Sequence, residues 1–255
     1  MSVKGSSTEA AGGGHRVLLV GGTGRTGSRV LTQLLERRVP VCAIVRSAGR
    51  LPAGVAGDPL LTVVEADILS LSDDELRRHL SGCDTAICCL GHTISLRGVF
   101  GSPRDLVTQA VGDLCRATEQ LGAAAPLRFI LMSSVSVNRP DRGDTRRSSA
   151  ERAYLWALRG MIPPARDNQR AADHLRRHAG QASQTMEWAI VRPDSLLAGD
   201  VSDYSVSEGL VNSIFRSGQT TMSNVAHFMC ELATDAATWQ RWKGSMPVIV
   251  NASGA

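Results

Sequence analysis

Gly21, Gly22, Thr23, Gly24, Arg25, Thr26 and Gly27 follow directly on the apolar run Val17–Val20. Glycines at 21, 24 and 27 permit a tight bend, close approach of backbone N–H groups to a pyrophosphate and tight packing of the next helix on the strand. Such a motif gains meaning from its context. Here an amphipathic stretch over residues 28–35 continues from the loop, and a second apolar run, Val41–Val45, follows at the distance of a βαβ unit. Motif and context together point to a nicotinamide dinucleotide site. Arg46 stands at the end of the second strand, where an NAD site carries a carboxylate for the ribose hydroxyls. A guanidinium there pairs with a 2′-phosphate, and Arg25 and Arg50 add charge to the same region, so the expected cofactor is NADPH. Asp67, just after the third strand, can accept a hydrogen bond from the adenine amino group or cap the next turn.

These residues need a scaffold that brings strand ends together. Apolar runs at Leu61–Glu65, 85–90, Leu127–Met132 and 188–192 alternate with helical patterns at 73–80, 104–121 and 167–178, and 247–250 can supply one more strand. Alternation of this kind implies an α/β fold, a doubly wound parallel sheet of Rossmann type. The chain of 255 residues, 43% hydrophobic, is expected to form one domain over residues 15–255. Residues 138–165 interrupt the alternation with a polar, arginine-bearing stretch and a helix over 150–159, stopped by Gly160 and the pair Pro163, Pro164. This helical insertion after strand five lies beyond the carboxyl end of the sheet, where ligands of such folds bind, and is placed to wall a substrate pocket. Residues 222–233 can form a dimer face or a core helix; helical spacing of the apolar residues favours the core, and the chain is expected as a monomer or homodimer.

The formal charge of +4 comes from basic residues scattered over polar faces, which excludes a nucleic-acid footprint. Cys42, Cys83, Cys88, Cys89, Cys115 and Cys230 show no metal-ligand spacing, so no metal is expected; buried free thiols in a reducing cytoplasm account for them. No stretch approaches the roughly 18 apolar residues of a membrane span. Residues 1–14 are small, polar and glycine-rich and read as a disordered tail.

The GGTGRTG loop, the Arg46 region, Glu65-Ala66-Asp67-Ile68, Cys89-Leu90-Gly91-His92, Met132-Ser133-Ser134, Val191-Arg192-Pro193 and the segment from Ser223 to Met229 together resemble the atypical short-chain dehydrogenase/reductases, in particular their NmrA-like and biliverdin-reductase-B-like group. The resemblance implies Gly21, Thr23, Gly24, Arg25, Thr26 and Gly27 at the phosphates, Arg46 at the 2′-phosphate, and Asp67 with Ile68 at the adenine. It places Leu90, Gly91 and Ser133 along the ribose and nicotinamide, and Pro193 near the nicotinamide end. Standard members use a Tyr and, four residues on, a Lys to protonate the carbonyl. Here Tyr154 is followed by Leu158 and Tyr204 by Glu208, and comparison with the family puts Ala165 and Gln169 at the two places. General acid catalysis contributes about 10²–10⁴-fold, which a reductase can forgo when cofactor placement and an activated substrate supply the rest. Ser134, Ser133, Ser95 and His92 are the candidate catalytic groups: the serines to orient a carbonyl, the histidine to shuttle a proton. Each has a local alternative, in backbone hydrogen bonding or a turn. The chain is similar to polyketide ketoreductases of the simocyclinone (angucyclinone) type, which implies direct hydride transfer to an aromatic polyketide or quinone. A non-catalytic NADP(H) sensor fits the lost pair as well.

Overall fold

The computed structural model describes residues 15–91, 103–139, 144, 147–181 and 184–252. The proposed tail, with His92, Ser95 and part of the insertion, lies outside these described residues. Eight strands form one sheet: β1 (Val17–Val20), β2 (Val41–Val45), β3 (Leu61–Glu65), β4 (Thr85–Cys88), β5 (Leu127–Met132), β6 (Met186–Pro193), β8 (Tyr204–Ser207) and β10 (Val248–Asn251). Their order is β3-β2-β1-β4-β5-β6-β10-β8, parallel throughout except for β8 against β10. The expected doubly wound parallel sheet is therefore present. Its order reverses between β1 and β4, and a crevice opens at such a switch point outside the carboxyl ends of the strands.

The inner strands β1, β2 and β4 are continuous buried runs because both faces are covered, whereas the edge strand β3 is largely exposed. Leu18 and Val20 of β1 point to one layer, with Leu76, Leu114 and Leu175. Val17 and Leu19 point to the other, with Leu31, Leu34, Met229 and Trp239. The first layer is α2 (Asp73–Leu80), α3 (Leu106–Glu119) and α5 (Pro163–Gln181); the second is α1 (Gly27–Glu36), α6 (Met222–Thr234) and α7 (Ala236–Trp242). The apolar side of α6 is buried, so its residues serve the core.

The insertion departs from expectation at its helix ends. The helix α4 (Ser149–Met161) passes through Gly160, and α5 begins at Pro163, four residues ahead of the expected Asp167. The proline pair starts the second helix as well as ending the first, because the opening N–H groups of a helix have no intrahelical acceptor to lose. The edge strand β8 and the small pair β7 (Ser195–Leu197) and β9 (Gln219–Thr221) were not foreseen. They are short and polar, and pairing partners define them more than composition does.

Candidate functional site

The glycine loop is held in shape by backbone contacts that exclude side chains. Gly21 has φ +84°, and a Cβ there would lie 2.7 Å from the Cys89 carbonyl carbon. A Cβ on Gly27 would lie 2.1 Å from the Gly21 carbonyl oxygen, and the Gly24 N–H donates to that same oxygen at 2.9 Å. The loop is thereby wound onto the end of β4, and α1 starts at its last glycine. Thr26 is the N-cap of α1 but makes no side-chain cap bond, and the first turn carries no acidic residue. The Ser28 and Arg29 N–H groups turn back onto the Gly24 and Thr26 carbonyls at 2.9 and 3.0 Å, and the helix end, without a carboxylate of its own, keeps the positive field that an anion takes up. The buried Thr26 hydroxyl oxygen has no hydrogen-bond partner among the described residues.

Beside the loop lies a cleft of about 120 Å³ lined by Gly21, Thr23, Gly24, Arg46, Arg50, Asp67, Ile68, Leu90 and Gly91, among others. The cleft unites residues from the ends of β1, β2, β3 and β4. Arg46 and Arg50 are exposed, while the neighbouring carboxylate of Glu65 accepts from the Ala48 N–H at 3.0 Å. Asp67 Oδ1 accepts from the Leu69 N–H at 3.1 Å, so Asp67 caps a short turn and faces the cleft at once. A Cβ at Gly91, which lines the cleft, would meet nothing within 4 Å among the described residues. Thr26 and Gly27 are buried under the loop and do not line the cleft; Arg25 has an exposed side chain, and its carbonyl accepts from Arg29. A broader depression of about 530 Å³ between α1 and residues 199–201 contains none of the loop glycines. Its Arg29 and Gln33 side chains are already bonded to Ser223.

At the end of β5, Ser133 is buried and its hydroxyl has no partner among the described residues. The Ser134 hydroxyl is engaged locally, 2.6 Å from the Ser136 hydroxyl and accepting from the Ser136 N–H at 3.3 Å. The following carbonyls are each held by a side chain. Arg147 donates to Val135, Arg159 to Ser136 at 2.7 Å, Arg192 to Val137 at 3.1 Å and Gln169 to Asn138 at 3.2 Å. Gln169 also accepts from the Asn138 N–H at 2.8 Å, so it ties α5 to this loop. Ala165, four residues before it on the same helix, offers no polar side-chain atom. The Pro193 carbonyl accepts from the Val135 N–H at 3.1 Å, which makes it an anchor of the same loop.

Arg192 is fully buried and pairs with the buried carboxylate of Asp144 at 3.1 Å. Burial pushes its guanidinium below the ordinary value, and Asp144 opposes that shift. Sequence reasoning missed this support. Its one visible signal is an arginine near the end of an otherwise apolar strand. Asp167, expected only as a helix start, is buried and accepts from the Val107 and Thr108 N–H groups at 2.8 and 3.0 Å, capping α3 from across the helix layer.

Glu151 fastens the insertion to residues 213–214. Its carboxylate accepts from the N–H groups of Ser148 and Ile214 and from the Ser213 hydroxyl, and these bonds pull its pKa down to about 2. A folded-state value below the unfolded one contributes stability above the unfolded pKa that is lost as pH falls through the folded one. Melting temperature should therefore decline from about pH 5 toward pH 2, and Glu151→Gln should show a shallower decline. Identical acid limbs for the two proteins would refute this role.

Comparison with known proteins agrees with this geometry. The NAD(P)H-binding family matches residues 21–236. An uncharacterized chloroplastic protein of Arabidopsis thaliana is 29% identical over 123 residues, which span 48% of this chain and 42% of that protein. The oxidoreductase ylbE of Lactococcus lactis superposes with a TM-score of 0.66 at 19% identity, over 94% of this chain and 92% of its own. The anaerobillin reductase of Escherichia coli O157:H7 gives 0.65 at 19% identity, over 94% and 98%. A short-chain dehydrogenase/reductase of Veillonella parvula, in complex with NADP, gives 0.64 at 14% identity, over 94% and 95%. No helix among the described residues is long and apolar enough to cross a membrane. With a glycine loop that admits no side chains, an uncapped helix end and a cleft at the switch point of the sheet, the chain belongs to the NAD(P)H-binding family.

Proposed function

We propose that the chain is an NADPH-dependent oxidoreductase, a ketoreductase that reduces a bulky conjugated carbonyl of angucyclinone polyketide or quinone type without a Tyr-Lys pair. The observation that carries the reading is the cleft in which Arg46 and Arg50 stand beside the glycine loop and Asp67. The fit is supported by the buried hydroxyls of Thr26 and Ser133, which have no hydrogen-bond partner among the described residues. In this reading the α1 end and loop N–H groups hold the pyrophosphate, Arg46 with Arg50 and Arg25 holds the 2′-phosphate, and Asp67 with Ile68 borders the adenine. Leu90, Gly91, Ser133 and Pro193 guide the nicotinamide end. The bound cofactor supplies hydride from nicotinamide C4. Ser134, its hydroxyl paired with that of Ser136, orients the substrate carbonyl, and the proton reaches the oxygen through this pair or from water. Exposed Tyr154, Trp156 and Phe215 near the insertion supply apolar surface suited to a polycyclic substrate.

NADPH should bind more tightly than NADH, and Arg46→Ala should cost about 10–100-fold in NADPH affinity, the worth of a hydrogen bond to a charged group. Titration by nicotinamide fluorescence measures both; equal NADPH affinities for wild type and variant defeat the assignment. Turnover is tested with NADPH against quinones and polyketide ketones, with deuterium at C4 followed into product. Ser134→Ala should then slow reduction by about 10²-fold, as loss of one stabilising donor does. An unchanged rate removes Ser134 from the mechanism.

A second reading, an NADP(H) sensor, is favoured by one observation: Gln169 and Ser134 are both committed to local bonds. Tight NADPH binding with no turnover on any substrate would select it.

A further inference from the structure

We propose a zinc-binding site between α3 and α5, with Cys115, His174 and His178 as ligands and Glu119 as the fourth or an outer partner. The ligand atoms of the first three lie within 4.8 Å of one another. In a tetrahedral zinc site with bonds of about 2.0–2.3 Å, ligand atoms sit roughly 3.5 Å apart, so side-chain adjustments of about 1 Å close the set. Cys115 and Glu119 are four apart on α3, and His174 and His178 are four apart on α5. Each pair therefore shares one face of its helix, and the two faces meet.

One further observation points to a ligand. His178 Nε2 is buried and makes no hydrogen bond among the described residues, although Glu119 Oε1 lies 3.2 Å away, because the direction is wrong for one. A buried imidazole nitrogen in that condition calls for an ion or a water. One thiolate with two imidazoles is a zinc-type donor set. Arg116, next to Cys115 in sequence, is already paired with Asp113 and Asp73. Zinc entry would form the Zn–S bond as the thiol proton leaves to solvent. At its other end, α3 is tied to α5 by Asp167, so the ion would clamp the same helix pair a second time.

Titration of the full, EDTA-treated chain with Co²⁺ tests this. One equivalent should bind with a thiolate-to-cobalt charge-transfer band and tetrahedral d–d bands, Zn²⁺ should displace it, and Zn²⁺ should raise the melting temperature. Cys115→Ser and His178→Gln should each weaken binding by more than about 100-fold, since even partners outside the ligand set cost about 10–100-fold. His178 is part-exposed, so His178→Gln reads the site even if Cys115→Ser does not fold. Wild-type protein that binds no cobalt, binds it without a thiolate band, or keeps its affinity in His178→Gln overturns the proposal.

Discussion

Gly27→Ala should bind NADPH about 100-fold more weakly than wild type, the cost of displacing a binding group by about 1 Å. The alanine Cβ would meet the Gly21 carbonyl oxygen at 2.1 Å and the Cys89 Cβ at 3.1 Å. Backbone is the main obstacle, so no rotamer change relieves the contact, and either the loop or the end of α1 must recede. Overpacking of this kind also costs about 1–3 kcal/mol, which lowers the melting temperature by several degrees in a chain of this size. Gly91→Ala is the contrasting variant. It meets nothing within 4 Å among the described residues, so it should fold as wild type does and lose less NADPH affinity than Gly27→Ala. Calorimetric melting and fluorescence titration of both proteins separate the effects. Normal NADPH binding by Gly27→Ala would mean that the loop does not hold the cofactor as described.

Asp144→Ala should have the largest effect on stability, about 3–5 kcal/mol, because it strands a fully buried guanidinium. Arg192 would keep its bonds to the Val137 and Met246 carbonyls at 3.1 and 2.9 Å but lose its counter-charge. The Arg139 N–H, which donates to Asp144 at 3.1 Å, would lose its acceptor. The loop behind Ser133 and Ser134 would loosen with it, so activity and stability should fall together. The double variant Asp144→Ala/Arg192→Met should recover part of the loss, since removing both charges spares the desolvation penalty. It should not recover all, because the Val137, Met246 and Glu208 carbonyls remain without their donor. Urea denaturation of the wild type and of the single and double variants forms the cycle. A single-variant loss below about 1 kcal/mol would place the pair among ordinary surface bridges.

The sequence by itself determined the sheet and the cofactor loop. Both follow from short-range rules: buried parallel strands must be apolar on both faces, and a loop wound against backbone must be glycine. For the same reason the glycine loop, Arg46 and Asp67 could be read from their places at strand ends, Leu90 and Gly91 came with the family resemblance, and the cleft unites these last four with Gly21, Thr23 and Gly24. Tertiary structure decided what depends on distant partners. It alone revealed that Gln169, Arg147, Arg159 and Arg192 converge on four successive carbonyls, since they come from two helices, the residue ahead of the α4 N-cap and a strand. It alone brought Cys115 to His174 and His178 across some sixty positions, where no local spacing rule applies. Glycine loops are legible because backbone sterics are local. Buried charges and ligand sets are not, because their energies depend on which groups the fold brings to meet them.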